Sequence, residues 1–311
     1  MSDKSTASCH PEQSAHDEFC HPERSAEREV EGSAVPAVSP PEQIPEKASN
    51  PLTQLRHFTT ARIALGRSGD SFPTSDLLEF SLDHALARDA VHAPLDTQDL
   101  SAQLNAASFE SIQVKSAASD RANYLRRPDL GRRLDADSQS RLSALSPSPK
   151  PEVLFIIADG LSAIAPQRYA VPVIQAAREL LQNWRIGPVV IAEQARVALG
   201  DEIGDLLQAE IAVMLIGERP GLSAPDSLGV YLTYAPKPGR TDAERNCISN
   251  VRAEGMSPEL AAQTLHYLLK NSRRLKLSGV GLKDESDLES KTLPTEIPTS
   301  KRIPGRSGKL L

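Results

Sequence analysis

Hydrophobic and polar positions divide the chain into four stretches. The first fifty residues carry no apolar periodicity and are rich in Pro, Ser, Glu and Ala, so they bury too little to offset the entropy of ordering. Residues 1–49 are expected to be a disordered tail. From Asn50 the spacing becomes helical: Leu78, Leu82, Ala85 and Leu86 follow Ser75-Asp76 at intervals of three and four. Residues 50–149 are therefore read as a small, mostly α-helical domain that ends in a Ser/Pro linker, Ser146 to Pro151. Beyond the linker, short continuous apolar runs alternate with amphipathic helices, the pattern of a parallel sheet covered on both faces.

The runs are Val153 to Ala158, Val189 to Ala192, Ile211 to Gly217 and Val230 to Tyr234. A helix between the first two sets Val173, Ala177, Leu180, Leu181 and Trp184 on one face, and a second, Asp201 to Gln208, carries Ile203, Leu206 and Leu207. A last helix opens with Ser257 as N-cap and Pro258 in its first turn, then continues through Ala261, Leu265, Leu268 and Leu269. The fold class expected is α/β: a Rossmann-like, doubly wound, mostly parallel sheet over residues 150–283, preceded by the small helical domain. Residues 284–311, punctuated by proline, are expected to form a flexible tail.

Length and composition fit that plan, since 311 residues with 39% hydrophobic content supply a core for two domains and loose ends. The net charge of −6 is scattered, without the basic stripe that phosphate backbones require, so nucleic acid is not an expected partner. No apolar run reaches the roughly 18 to 20 residues that cross a bilayer. The N-terminus also lacks the apolar segment of a secretory signal. Three cysteines give no disulfide framework and agree with a reducing compartment, so a cytoplasmic location is expected.

Candidate chemistry concentrates after the apolar runs, because open parallel sheets bind ligands beyond the carboxyl ends of their strands. Ala158-Asp159-Gly160-Leu161-Ser162 follows the first run, Gln194 to Gly204 the second, Gly217-Glu218-Arg219-Pro220-Gly221-Leu222 the third, and Tyr234-Ala235-Pro236, leading to Arg245–Asn250, the fourth. None of these segments is a glycine-rich dinucleotide loop or a Walker phosphate loop. Ser162, Ser249 and Cys247 are the possible nucleophiles, but the only histidine after the linker is His266, on a helix away from any strand end. Cys9-His10-Pro11-Glu12-Gln13-Ser14-Ala15 recurs as Cys20-His21-Pro22-Glu23-Arg24-Ser25-Ala26, yet adjacent Cys-His pairs do not match spaced zinc ligands, and no metal site is assigned.

Four segments in order carry a family resemblance: Arg127-Pro128-Asp129-Leu130-Gly131-Arg132-Arg133-Leu134, Ala158-Asp159-Gly160-Leu161-Ser162-Ala163, Gly217 to Leu222, and Asn246-Cys247-Ile248-Ser249-Asn250. From about Asn50 to Asp284 the chain resembles the ethanolamine ammonia-lyase small subunit. The resemblance implies a hetero-oligomer that turns ethanolamine into acetaldehyde and ammonia by adenosylcobalamin radical chemistry. A large subunit would hold substrate and sandwich the cofactor against this chain. Val197, Glu218 and Cys247 are the implied cobalamin-binding positions. The resemblance assigns no catalytic residue here, and this chain would be inactive alone.

Asp159-Gly160-Leu161-Ser162 stands where some cobalamin proteins carry a histidine motif, so a base-on cofactor without a cobalt ligand from this chain is expected. Each assignment has a plainer alternative: Val197 as a core cap, Glu218 paired with an arginine such as Arg219, and Cys247 as an inert buried thiol. Arg126, Arg127, Arg132 and Arg133 form either a solvated face or an intersubunit salt-bridge set. Rival functions are a non-catalytic scaffold subunit and a stand-alone α/β hydrolase using Asp159 and Ser162. Residence inside a bacterial microcompartment is left open by the polar tail.

Overall fold

The computed structural model describes residues 51–285 apart from 60 and 146. The expected tails, with the Cys-His repeat, therefore lie outside the described residues except for Asp284 and Glu285.

The helical stretch supplies α1 (Thr74–His92) and α2 (Thr97–Ala106), and then a strand, β1 (Ser111–Lys115). Asp96 caps α2 by accepting the Gln98 and Asp99 N–H groups, which satisfies two of the donors a helix start leaves open. Two short helices follow, α3 (Arg121–Arg126) and α4 (Ala136–Ala144), with N-caps Asp120 and Asp135. After the linker come β2 (Val153–Ala158), α5 (Ile164–Leu180), β3 (Val189–Glu193), α6 (Leu199–Leu206), β4 (Ile211–Gly217), β5 (Leu228–Tyr234), β6 (Arg245–Val251) and α7 (Pro258–Leu275). Ser257 caps α7 as expected, accepting the Leu260 N–H.

One six-stranded sheet runs in the order β1-β3-β2-β4-β5-β6. The β1–β3, β3–β2 and β2–β4 pairs are parallel, whereas β4–β5 and β5–β6 are antiparallel. Successive side chains of β2 serve opposite faces. Val153, Phe155 and Ile157 pack with α5, α7 and the Leu100 and Leu104 side chains of α2. Leu154, Ile156 and Ala158 pack with Leu142 of α4 and with Leu199 and Ile203 of α6. Burial on both faces explains why β2 and β4 read as unbroken apolar runs.

Three expectations need correction. The stretch read as helical contains β1, whose partly polar Ser-Ile-Gln-Val-Lys is tolerated because it forms the sheet edge beside β3. The Arg245–Asn250 segment, expected to converge with the strand-end segments on one rim, is itself strand β6. The β5 strand runs opposite to β4, with Tyr234 opposite Ile211, so Tyr234-Ala235-Pro236 lies at the other rim from the carboxyl ends of β2, β3 and β4. The helix α1 forms where its periodicity places it, but Leu78, Leu82 and Leu86 are 64%, 60% and 47% exposed, and Ala90 is its one buried residue.

Candidate functional site

Ala158 pairs with Ala192 on one side and Ile216 on the other, so the β2, β3 and β4 ends lie side by side. Their following loops enclose a groove of about 380 Å3. Gly160 and Leu161 come from the β2 end, Arg196 and Val197 from the β3 end, and Gly217, Glu218 and Arg219 from the β4 end, with Tyr124 and Tyr231 completing the wall.

Two glycines permit this convergence. Gly160 has φ +55, and a Cβ there would stand 2.2 Å from the Gly217 carbonyl oxygen. The Leu161 N–H donates to that same carbonyl at 2.9 Å. A Cβ on Gly217 would come within 1.9 Å of the Ser162 carbonyl oxygen. The two strand ends therefore touch backbone to backbone.

The loop carrying Val197 is held from below. Asp159 is 3% exposed and accepts the Gln194 and Ala195 N–H groups, each at 3.0 Å. Arg121 Nη1 lies 3.3 Å from Asp159 Oδ2 and donates to the Gly160 carbonyl at 2.8 Å. Burial outweighs these contacts and pushes the Asp159 carboxyl up to about 6, while the Ala195 N–H, the Arg121 charge and the Gln194 and Gly160 N–H groups pull the other way. Tyr124 donates its hydroxyl to the Ala195 carbonyl at 2.9 Å, and its ring lies under the guanidinium groups of both Arg121 and Arg196.

The three expected binding residues are only partly brought together. Val197 and Glu218, both half-buried, line the same groove. Glu218 accepts the Ser227 hydroxyl, and the Asn250 N–H at 3.4 Å, rather than pairing with Arg219. Cys247 sits within β6, opposite Tyr231 in register, instead of on a rim loop. It is exposed and adjoins the groove through its register partner Tyr231, which lines the wall. Although the residue as a whole is exposed, its thiol sheds enough water to hold its pKa above the ordinary value, Tyr231 pulling it back and Glu218 adding to the rise. Tyr231 is likewise raised, first by lost hydration and then by Cys247 and Glu218, so it stays a neutral hydroxyl.

Sequence reasoning missed Tyr124, Arg121, Arg196 and Tyr231. Arg196 adjoins Val197 and was within reach, whereas Tyr124 sits on a short helix without a periodic signal. Ser162 is fully buried and donates its hydroxyl to the Pro225 carbonyl at 2.8 Å, which fastens the loop after β4 and removes the proposed hydrolase nucleophile. Arg126, Arg127, Arg132 and Arg133 are all exposed, with Arg127 paired to Asp129 at 2.8 Å. Two wider hollows, about 720 and 770 Å3, lie at the opposite rim around Trp184, Gly187 and Pro188, away from the three expected binding residues. Among the described residues no cluster of three metal-ligating side chains occurs, and no helix is long and apolar enough to cross a membrane.

A family model described as Ethanolamine ammonia-lyase light chain (EutC) matches residues 49–283. An ethanolamine ammonia-lyase small subunit of Pseudomonas fluorescens (strain Pf0-1) is 52% identical over 262 residues, covering 83% of this chain and 95% of the relative. Small subunits from Pseudomonas aeruginosa (strain LESB58) and Pseudomonas putida are also 52% identical, each over 78% of this chain and 90% of its own length. The chain belongs to the ethanolamine ammonia-lyase small-subunit, or light-chain, family.

Proposed function

We infer that the chain is the cofactor-holding half of an adenosylcobalamin-dependent ethanolamine ammonia-lyase, which releases acetaldehyde and ammonia from ethanolamine. The observation that carries the reading is the meeting of Val197 and Glu218 in one groove, with Cys247 beside it as the cross-strand neighbour of Tyr231.

The donor set suits a corrinoid, a broad amphipathic ring fringed with amides and bearing a nucleotide tail. Val197, Leu161 and Ile216 give apolar wall, and Glu218 gives an acceptor for amide or hydroxyl donors. Arg121 Nη2 and Arg196 Nε are buried without a partner among the described residues, and Arg196, which lines the groove, is the donor that an amide carbonyl or phosphate would meet there. The ring is larger than this groove, so these residues can hold only one edge of it, and the remaining wall falls to a large subunit. When bound, adenosylcobalamin supplies the hydrogen-abstracting radical chemistry. The part played by this chain is to grip the ring edge, orient it and exclude water. With a base-on cofactor, no cobalt ligand is asked of this chain.

Co-expression with the large subunit, followed by adenosylcobalamin titration of ammonia release, tests the reading. Glu218→Gln and Cys247→Ser should each raise the half-saturating cofactor concentration, the former about tenfold, equivalent to about 1.4 kcal/mol. Unaltered affinity in both would leave the chain as a scaffold for the larger subunit.

A further inference from the structure

Asp159, which is absent from the groove lining, ties the β2 end to the loop after β3 and to Arg121 of α3. Its two oxygens take the N–H groups of Gln194 and Ala195, at the base of the loop that presents Arg196 and Val197. Gln194 holds a left-handed backbone, φ +54, a conformation that a non-glycine residue keeps only where its surroundings enforce it. Gly160, directly after Asp159, abuts Gly217 and thereby the Glu218 loop. Arg121 closes the assembly, since Nη1 bonds Asp159 and the Gly160 carbonyl while Nε donates to the Val91 carbonyl in the last turn of α1 at 2.7 Å.

We propose that ionised Asp159, clasped by Arg121, is the positioning residue that sets the Val197 loop and the Glu218 loop in register for the cofactor. A neutral carboxyl can serve only one of the two loop N–H groups well, because one oxygen then carries a proton. Release of the other lets Gln194 relax and the Val197 side chain drift, and a drift of about 1 Å suffices to weaken a preorganised contact. The charged and titratable groups around Asp159 are Arg121 and Tyr124 from α3, with Arg196 on the far side of the Tyr124 ring. Tyr124 stays neutral, its pKa held above the ordinary phenol value by burial first and by Asp159 second. The pH dependence of the clasp is therefore that of Asp159 under the field of the arginines, with a midpoint near 6.

The proposal rests on the corrinoid reading, and its test separates the two. In the complex with the large subunit, Asp159→Asn should raise the half-saturating adenosylcobalamin concentration about tenfold at pH 7.5 while lowering kcat at saturation less than twofold. The wild-type value should climb several-fold between pH 7 and 5.5, and the variant's should stay flat. In the full isolated chain, amide hydrogen exchange at Gln194 to Val197 should quicken at least tenfold in the variant; unaltered exchange there would overturn the clasp.

Quicker exchange with unaltered cofactor affinity would also overturn the positioning role. In that event a Glu218→Gln variant that still loses affinity leaves the corrinoid reading standing, and one that does not removes both. Should Asp159→Asn fail to fold, Arg121→Gln serves. Loss of the cation raises the Asp159 titration and should move the pH at which affinity falls upward, and an unmoved profile would refute the proposal.

Discussion

At the scale of single residues, contacts between backbones set the tolerance of the site. A methyl group on Gly160 or Gly217 would meet a carbonyl oxygen well inside van der Waals distance, and Gly160 also needs its positive φ. Gly160→Ala and Gly217→Ala should each cost about 2 kcal/mol or more and shift the denaturant midpoint, because strand ends cannot separate without breaking the Leu161 N–H bond. Asp159 makes a different prediction. Its folded-state pKa lies above the ordinary 3.8, near 6, so the stabilisation it contributes is complete below about pH 3.8 and is lost as pH rises through 6. Melting curves should accordingly show wild type gaining stability relative to Asp159→Asn as pH falls from 7 to 5, even as the site loosens. A functional site that gains order by keeping a buried charge ionised trades stability for position. The sequence made Asp159 visible by its place after an apolar run, yet nothing in it revealed that Arg121, thirty-eight residues earlier, is its partner.

At the scale of elements, the buried pair Asp201–Arg245 joins α6 to β6 across the sheet. Both side chains are 2% exposed, and the two guanidinium nitrogens each meet a carboxylate oxygen at 2.6 Å. Removing one partner leaves an uncompensated charge, so Arg245→Ala should cost about 3 to 5 kcal/mol in urea unfolding, whereas a joint Asp201→Leu and Arg245→Met replacement should recover much of that. Strands buried on both faces, β2 and β4, were legible because each wrote a pure apolar run, and α7 because Ser257 and Pro258 announce its start. The edge strands β1 and β6 were not legible. Each presents one side to solvent and carries polar residues, such as Gln113 in β1 and Ser249 in β6, so the period-two signal dissolves. Strand direction is silent in a pattern of apolar runs, which is why the reversal at β5 and the true place of Cys247 emerged only from pairing.

At the scale of the whole molecule, α1 stands apart from the sheet's economy. It is 19 residues long and fixed at its far end, where Arg121 holds the Val91 carbonyl, and at its middle, where Arg62 pairs with Asp83. Leu77, Leu78, Phe80, Leu82 and Leu86 meanwhile stay 43% to 64% exposed. Water in contact with that much hydrocarbon should make a purified single chain self-associate. Its sedimentation coefficient should grow with concentration and an environment-sensitive dye should brighten in its presence. A Leu78→Ser, Leu82→Ser variant should remain monodisperse and dim while melting within about 0.5 kcal/mol of wild type, since surface changes rarely do more. Handling this polypeptide by itself thus calls for detergent or dilution, a practical cost of leaving one greasy rod outside the fold.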